Sequence, residues 1–475
     1  MDPNKEISIN PNNQPSVGAS PEAGAQVAPE QQNAQVASPP PRVPILRRIP
    51  WKMVAGVFAA LVVVLGGFWV AKTFFFQKEK TLEKAREIVW WGLKLREEDV
   101  APILVEYEKN TGVRVTYIRQ SPQDYKDRLL SALENGKEAP DVFEIHNTWP
   151  IMFRGKLSKV PSEAYKADDY KNTFYPVVLR DMLVDGGYVG VPLEFDGLGL
   201  YINTEKFDSQ DLLPPDTWNE VWELAGRFTT RDSNGAIVQS GIAIGETANI
   251  SHWQDILALM LIQEGVDLQN PERGRSEAAF LSYVRFGDED EGTWDETLPE
   301  STQAFARGQV PMYFGKVADA AKFATTNPSL RFRIVPVPQL PKTNPGQQDV
   351  TWASYQVLSV SEKSSKKDAS WDFVKYLSSR EVLNVLANGR FVPARQDLAG
   401  LFVEDPVFGA YVRQAPYAHS WYLASDTNDG SQGINTKISE KYGLAILRFK
   451  EGDTVDDILA ELASGVFEVL VEFGL

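Results

Sequence analysis

The sequence predicts an α/β protein built on a parallel sheet, preceded by a disordered tail and one transmembrane helix. Two patterns indicate this: residues 87–145 alternate strand-like and helix-like segments, and residues 53–71 form a run without a charged side chain. Sequential strand–helix–strand units imply parallel strands, and ligand sites then lie at the carboxyl ends of those strands. The 475 residues give room for about three domain-sized units.

The amino-terminal region divides into a tail, an anchor and a linker. Residues 1–50 are rich in Pro, Asn, Gln, Ala and Ser and bury too little apolar surface to offset their ordering entropy, so we expect disorder. Residues 51–76 contain the uncharged run, whose length nearly matches the apolar core of a bilayer and predicts a retained anchor. A cleaved signal peptide and a buried core helix are the alternatives. Residues 77–86 form a linker, and basic residues on both sides of the run leave its orientation open.

Composition excludes several classes of site. The chain contains no cysteine, which rules out disulfides, thiol nucleophiles and Cys-ligated metals. Its three histidines are not spaced as a zinc motif, so we expect neither a metal nor a cofactor. The net charge of −16 repels phosphate backbones, which argues against nucleic-acid binding and makes an anionic ligand less favourable.

The sequence predicts the individual strands and helices of the first strand–helix–strand units. Residues 88–91 form an apolar strand, and a helix follows whose apolar positions have helical spacing: Val100, Ile103, Leu104 and Tyr107. We expect Gly112 to end this helix. A second helix is expected to begin with Ser121 as N-cap and Pro122 in its first turn, and residues 141–145 form the third strand.

Two further segments carry strong local signals. Residues 188–202 read as one extended segment, with glycines where two backbones must approach each other closely. Thr217 and Glu220 form a capping box that opens another helix.

Polar and aromatic residues follow the first and third strands, at Trp91–Lys94 and His146–Trp149, although residues there could simply cap the sheet.

Eight sequence blocks occur in an order that resembles one known family. They are VWWG (89–92), YEKNTGVRV (107–115), APDVFEIHNTW (139–149), YVGVPLEFDGLGLYINTEKF (188–207), PPDTW (214–218), AFARGQVPMYFG (304–315), SWDFVKYLSS (370–379) and FVPAR (391–395). This order resembles the extracellular solute-binding proteins of ABC importers, in the branch that contains maltose-binding protein. The resemblance extends from about residue 86 almost to the end of the chain.

The resemblance implies a periplasmic-binding-protein-like fold of two lobes joined by hinge crossovers. It implies crossings near residues 194–200, 335–341 and 388–393. Lobe 1 would then combine residues 87–194 with 338–390, and lobe 2 residues 198–334 with 394–475. The family captures its solute between the lobes without catalysis, so the resemblance also implies that the large domain, residues 87–475, faces outside.

The resemblance also implies a set of ligand-binding residues in the cleft. These are Trp91, Lys94, His146, Asn147, Trp149, Glu194, Phe195, Asp196, Trp253, Tyr313, Gly315, Lys316, Trp352, Trp421 and Tyr422. Aromatic rings stack on the apolar faces of pyranose rings, while carboxylates and amides bind the hydroxyl groups, so this mixture suits a carbohydrate. Trp90 and Trp91 point to opposite faces of a strand, so at most one of them is expected to face a ligand.

The sequence therefore predicts a membrane-anchored receptor that captures a sugar or oligosaccharide for the permease subunits of an ABC importer. A carbohydrate sensor and a membrane-bound glycosidase are the alternatives. Paired carboxylates such as Glu194 and Asp196 keep the glycosidase open, because their role depends on their separation. The segment from Asp426 to Gly430 has its glycine at the wrong position for a calcium-binding EF-hand loop.

Overall fold

A computed structural model describes residues 87–136 and 138–475. The predicted tail (1–50), anchor (51–76) and linker (77–86) lie outside the described residues. Within the described part, no helix combines the length and the apolar character that a membrane crossing requires.

The described residues form short and long strands along the whole chain. They are β1 (Glu87–Gly92), β2 (Arg114–Arg119), β3 (Val142–His146), β4 (Leu183–Val184), β5 (Gly187–Tyr188), β6 (Val191–Pro192), β7 (Glu194–Phe195), β8 (Gly199–Asn203), β9 (Thr230–Arg231), β10 (Ile237–Gln239), β11 (Met312–Gly315), β12 (Phe332–Val335), β13 (Thr351–Trp352), β14 (Gln356–Val360), β15 (Val392–Pro393) and β16 (Ala418–His419).

Helices separate most of these strands. They are α1 (Glu97–Thr111), α2 (Tyr125–Asn135), α3 (Ala167–Thr173), α4 (Pro176–Asp181), α5 (Thr204–Asp208), α6 (Trp218–Phe228), α7 (Trp253–Glu264), α8 (Arg275–Val284), α9 (Ser301–Ala306), α10 (Val317–Thr326), α11 (Lys367–Leu377), α12 (Arg380–Ala387), α13 (Ala399–Phe402), α14 (Gly409–Gln414), α15 (Ile434–Lys450) and α16 (Val455–Glu472). Short 3₁₀ helices occupy residues 285–287, 396–398 and 415–417.

Lobe 1 is built on a five-stranded sheet with the order β2-β1-β3-β14-β6. Strands β1, β2 and β3 are parallel, as the strand–helix–strand pattern predicted, and β14 runs antiparallel to β3. Trp90 is fully buried in this lobe, whereas Trp91 on the opposite face is half-buried. The parallel core of the fold was therefore correctly predicted from hydrophobic periodicity.

The structure confirms the predicted end of α1 but not the predicted start of α2. Helix α1 ends before Gly112, which adopts φ 69° and donates its N–H to the carbonyl oxygen of Glu108 at 2.7 Å. The prediction for α2 was wrong: the helix begins at Tyr125, and Asp124 precedes it with φ 53°. The Ser121–Pro122 pair lies in a turn instead, since the N–H of Tyr125 donates to the carbonyl of Pro122 at 3.2 Å.

Lobe 2 is built on an antiparallel three-stranded sheet with the order β11-β8-β12. Tyr201 of the central strand β8 is fully buried and its ring contacts the rings of Phe305, Phe323 and Phe332.

The capping box at the start of α6 is confirmed. Glu220 N–H donates to the Thr217 hydroxyl oxygen at 3.3 Å, and Thr217 N–H donates to a Glu220 carboxylate oxygen at 2.9 Å.

The chain passes between the lobes in three neighbouring segments. Strand β7 pairs antiparallel with β15, and Gly197 pairs antiparallel with Ala353. Ser354 N–H also donates to the carbonyl of Asp196 at 3.0 Å. The three crossings therefore run side by side between the lobes.

The second crossing differs from its expected position at residues 335–341. Val335 still pairs with Leu200 inside the lobe 2 sheet, and Gln339 N–H donates to the Asp216 carbonyl at 2.9 Å. The crossing falls near Ala353. The proline-rich segment is extended, as expected, but its hydrogen bonds keep it on lobe 2, and sequence pattern alone does not indicate which partner an extended segment pairs with.

Substituting Gly197 by alanine should disrupt the hinge. A Cβ at this position would lie 2.1 Å from the carbonyl oxygen of Trp352, so one of the crossings would have to move. We expect a loss of about 3 kcal/mol or more in the free energy of unfolding, measured by chemical denaturation.

The matched control is Gly226→Ala on the exposed face of α6, where an added Cβ has no neighbour within 4 Å. This substitution should stabilise the protein by roughly 0.5–1 kcal/mol. If Gly197→Ala and Gly226→Ala changed the free energy of unfolding equally, this would contradict the close approach of the crossings.

Candidate binding cleft between the lobes

Polar side chains from both lobes meet where the crossings pass between the sheets. His146 ends β3 of lobe 1, and its Nε2 lies 3.0 Å from the hydroxyl of Ser354 on the second crossing. Lys316 follows β11 of lobe 2, and its Nζ donates to the same hydroxyl oxygen at 3.5 Å. Ser354 therefore connects the two lobes at the carboxyl ends of β3 and β11.

Lys316 is held by carboxylates inside lobe 2. Its Nζ lies 3.1 Å from Asp255 Oδ2 and 3.5 Å from Asp426 Oδ2. Burial alone would lower the pKa of Lys316, but Asp255 and Asp426 raise it above its ordinary value, so the ammonium is charged. Asp255 is fully buried and also accepts hydrogen bonds from Trp352 Nε1 at 2.8 Å and from the N–H of Ser425 at 3.0 Å.

A second buried group continues this network deeper into lobe 2. Asp319 Oδ2 lies 3.0 Å from His252 Nε2 and accepts a hydrogen bond from the Tyr313 hydroxyl at 3.1 Å. Burial would raise the pKa of Asp319, but His252 and Lys322 hold it below its ordinary value. Asp319 therefore fixes the orientation of side chains behind Lys316 rather than facing the cleft.

Four charged groups surround the first crossing. Lys94 pairs with Glu194, and Asp196 Oδ1 accepts the N–H of Val317 at the start of α10 at 3.2 Å. Burial and the neighbouring charge of Glu194 raise the pKa of Glu144 to about 7. Burial also raises the pKa of Asp196 to about 6, although Lys94 acts in the opposite direction. The cavity between Lys94, Glu144 and Glu194 measures about 30 Å³, close to the volume of one water molecule.

A much larger pocket of about 470 Å³ opens between the lobes. The residues that line it come from both lobes: Asn147, Thr148, Pro150, Ile151, Arg154, Arg180, Asp181, Leu183, Val184, Asp185, His419, Ser420, Trp421, Tyr422 and Leu475. Trp421 and Tyr422 form an aromatic pair with ring centroids 6.2 Å apart. This pocket combines an aromatic wall with hydrogen-bonding groups, which is the composition of small-molecule sites.

Direct hydrogen bonds join the lobes beside this pocket. The Ser420 hydroxyl donates to Asp181 Oδ1 at 2.5 Å, and Asn435 Nδ2 donates to the Thr148 hydroxyl oxygen at 2.8 Å. Asp181 Oδ2 accepts from Asn147 Nδ2 at 2.9 Å and from the Tyr355 hydroxyl at 2.7 Å. A movement of one lobe relative to the other would break the first two bonds and leave the last two intact.

Another open pocket of about 510 Å³ lies on lobe 2 beside Trp253. It is bordered by the loop from Ala424 to Gly430 and by the start of α15. Trp253 is mostly buried beneath this loop. Trp253 and the Trp421–Tyr422 pair therefore line different pockets.

The structure divides the residues expected in the cleft into three groups. Those that line a pocket are Lys94, Asn147, Glu194, Trp253, Trp421 and Tyr422. Those that belong to the buried polar network between the lobes are His146, Asp196 and Lys316. Those that pack in the hydrophobic core or against it are Trp91, Trp149, Phe195, Tyr313, Gly315 and Trp352.

Residues of the core group are held by packing and by internal hydrogen bonds. Trp149 is 1% exposed and stacks on Phe153 with the ring centroids 5.8 Å apart. Trp352 is equally buried and uses its indole N–H on Asp255. At Gly315 a Cβ would lie 2.5 Å from a ring carbon of Tyr313, so glycine is required there by packing.

Sequence reasoning missed several polar residues of the cleft. They are Glu144, Arg154, Arg180, Asp181, Asp255 and Ser354. Glu144 did carry a visible signal, because it interrupts the apolar run Val142–Ile145 within strand β3. The other residues lie in segments whose sequence neighbourhood does not predict their position, and only the tertiary structure brings them to the cleft.

Glu144 should make the stability of the protein depend on pH. Its folded-state pKa of about 7 exceeds the ordinary value of 4.5, so the folded protein holds a proton there that the unfolded chain releases. Stability is therefore lost as the pH rises through that window. We expect Glu144→Gln to gain about 1–3 kcal/mol over the parent at pH 8 and almost nothing at pH 5, measured by thermal unfolding. The exposed Glu108→Gln change serves as control and should show no such divergence.

Removing Asp255 should leave Lys316 buried without its nearest carboxylate. We expect Asp255→Ala to cost about 3–5 kcal/mol in thermal unfolding. The double variant Asp255→Ala, Lys316→Met should lose clearly less, because no buried charge is left unpaired. Removing Asp349 from its solvent-exposed pair with Lys342 should cost less than about 1 kcal/mol. A double variant as unstable as the single one would contradict this coupling.

Comparisons with known proteins agree with this architecture. Residues 103–410 match the family of bacterial extracellular solute-binding proteins. A probable amino-acid ABC transporter periplasmic-binding protein of Sinorhizobium fredii is 22% identical over 331 residues, covering 67% of this chain and 73% of that protein. A putative binding protein of Brucella abortus is 20% identical over 323 residues, covering 65% of this chain and 77% of the relative.

Solved structures share the fold. A cyclic α-maltosyl-1,6-maltose binding protein from Arthrobacter globiformis superposes with a TM-score of 0.67 at 17% identity, covering 81% of this chain and 99% of that chain. The sugar-binding protein MalE of Xanthomonas citri gives a TM-score of 0.64 at 18% identity, covering 81% of this chain and 98% of that chain. These likenesses show the two-lobe α/β fold of periplasmic binding proteins, and the resemblance read from the sequence blocks is confirmed. The chain belongs to the bacterial extracellular solute-binding proteins that serve ABC importers.

Proposed function

We propose that this protein captures a sugar or oligosaccharide between its lobes and presents it to the permease of an ABC importer, without catalysis. The observation that carries the proposal is the pocket of about 470 Å³, to which both lobes contribute and which the Trp421–Tyr422 pair lines. Aromatic faces bind the C–H surfaces of pyranose rings, and the amide and hydroxyl groups of Asn147 and Ser420 suit their hydroxyl groups.

The names of related proteins support a carbohydrate as the ligand, but one of those names indicates a different ligand class. Structures with the same fold are described as maltose-type or other sugar-binding proteins. The relative from Sinorhizobium fredii is described instead as a probable amino-acid binding protein. An amino acid is therefore the ligand class against which the carbohydrate proposal has to be tested.

Capture would depend on hinge closure. The three side-by-side crossings would act together as the hinge, and the hydrogen bonds Ser420–Asp181 and Thr148–Asn435 hold the lobes together beside the pocket. A ligand drives such a closure only to the extent that it binds the closed form better than the open form. Contacts from both lobes to one ligand supply that difference.

The proposal includes attachment to the cell membrane. Residues 51–76 would form the single anchor and residues 77–86 a short linker, with the large domain outside the cell. Even fully extended, a linker of this length reaches about 33 Å, so the domain would stay close to the membrane.

A glycosidase is the less favoured alternative. Glu144 and Glu194 are a carboxylate pair in which one pKa is raised, as acid–base catalysis requires. The cavity beside them measures about 30 Å³, which is too small for a sugar ring. Hydrolysis of a chromogenic glycoside that disappears in Glu194→Gln would restore this alternative.

Binding can be tested with a thermal-shift screen of the full-length protein against sugars and amino acids. A bound ligand at 100 times its dissociation constant adds about 2.7 kcal/mol of stability. We expect a sugar to raise the thermal midpoint of the parent protein and Trp421→Ala to lose most of that rise. Tyr417→Ala is the matched control, because Tyr417 is exposed and does not line this pocket. A midpoint raised by amino acids and by no sugar would refute the proposed ligand class.

A further inference from the structure

Two arginines line the pocket between the lobes. Arg154 lines it with an exposed guanidinium that makes no hydrogen bond or ion pair to any residue the structure describes. Arg180 lines it as well and donates only from Nη2, to the carbonyl oxygen of Ala418 at 2.5 Å. Two permanently charged groups therefore face the pocket with most of their N–H donors unused.

Among the described residues, no carboxylate of the pocket forms an ion pair with Arg154 or Arg180. Asp181 uses Oδ2 to accept from Asn147 and Tyr355, and it uses Oδ1 to accept from Ser420. Asp185 lies exposed in the turn between β4 and β5 and forms no ion pair with either arginine. Arg154 and Arg180 therefore keep N–H donors that a ligand in the pocket can use.

Both arginines act on the aromatic end of the pocket. Burial lowers the pKa of His419, and the positive charge of Arg180 lowers it further, so the imidazole is neutral at pH 7. Burial and Asp181 raise the pKa of Tyr422 to about 12, while the charge of Arg154 opposes that rise. Arg180 also donates to the carbonyl oxygen of Ala418, the residue before His419, and Arg154 lines the same pocket as Tyr422.

We infer that the natural ligand of this pocket carries a carboxylate, which Arg154 and Arg180 bind while the Trp421–Tyr422 pair contacts an adjoining ring or apolar face. The inference rests on the proposed function, because it takes this pocket as the ligand site. Within that function the substrate class becomes an acidic sugar, such as a uronic acid or an oligosaccharide that contains one. Guanidinium groups match the geometry of a carboxylate through paired N–H···O bonds.

The net charge of −16 does not contradict an anionic ligand. Charges in solvent are screened over about 8 Å at physiological ionic strength, so distant surface carboxylates contribute little inside the pocket. The two arginines lie within the pocket itself. The inference therefore rests on direct contact with these two guanidinium groups rather than on overall charge, and Asp181 and Asp185 line the same pocket.

The test is isothermal titration calorimetry of the full-length protein with matched pairs of ligands. The pairs are galacturonic acid with galactose and glucuronic acid with glucose, together with the corresponding short oligosaccharides. Each pair differs in one carboxylate. We expect an acid to bind at least about tenfold more tightly than its neutral partner and to lose affinity as salt rises.

Substitutions of the two arginines test whether these side chains bind the carboxylate of the ligand. Arg154→Gln and Arg180→Gln should each weaken binding of the acid about tenfold or more and weaken binding of the matched neutral sugar much less. Arg307→Gln, an equal change of charge on an exposed part of lobe 2, should alter neither. The comparison of matched ligands on the parent protein needs no variant and holds even if one variant folds poorly.

The outcomes separate the inference from the proposed function. Binding of neutral sugars with no preference for their acids would overturn the carboxylate inference and leave the carbohydrate receptor intact. Binding of amino acids that weakens in the arginine variants, without binding of any sugar, would support the carboxylate and refute the carbohydrate. Sugar acids that bind equally well to the parent and to both arginine variants would overturn the assignment of Arg154 and Arg180.

Discussion

The close approach of the crossing segments is the constraint on which the rest of the structure depends. Gly197 lies so near the carbonyl oxygen of Trp352 that no side chain fits between the first and second crossings. The backbone on either side of this contact forms the antiparallel bonds of the hinge. Because the crossings are fixed relative to each other, the residues before and after Gly197 enter the cleft at defined positions: Glu194 and Asp196 from one segment and Ser354 from the other.

The same arrangement explains why so many charged groups are buried near the hinge. Asp196 accepts an N–H at the start of α10, and Lys316, directly before that helix, contacts Asp255 and Asp426. A buried charge is tolerated when it is paired and its hydrogen bonds are satisfied. The network spans the second crossing, a helix and the loop around Ser425, so it couples the conformation of lobe 2 to the hinge.

Much of the fold was predictable because its signals are local. Hydrophobic spacing in residues 88–145 predicted the parallel part of the first sheet, and Gly112 and the Thr217–Glu220 capping box marked helix ends correctly. The start of α2 and the second crossing differ from the sequence-based expectation. Pro122 was expected in the first turn of α2 but lies in a turn before that helix, which Tyr125 and Pro122 close locally. The proline-rich segment near the second crossing is extended as expected, but Gln339 bonds to Asp216 of lobe 2, a partner distant in the sequence.

The cleft was predictable only in outline. Aromatic residues such as Trp149 and Trp352 resemble Trp421 in the sequence, yet the first two lie in the core and the third lines the pocket, because burial depends on packing between distant elements. The sequence by itself determined the α/β class, the family and the segments that reach the cleft, since these follow from local periodicity and ordered motifs. Only the tertiary structure decided which side chains line the pocket and that two arginines face it, because residues far apart in the chain converge there.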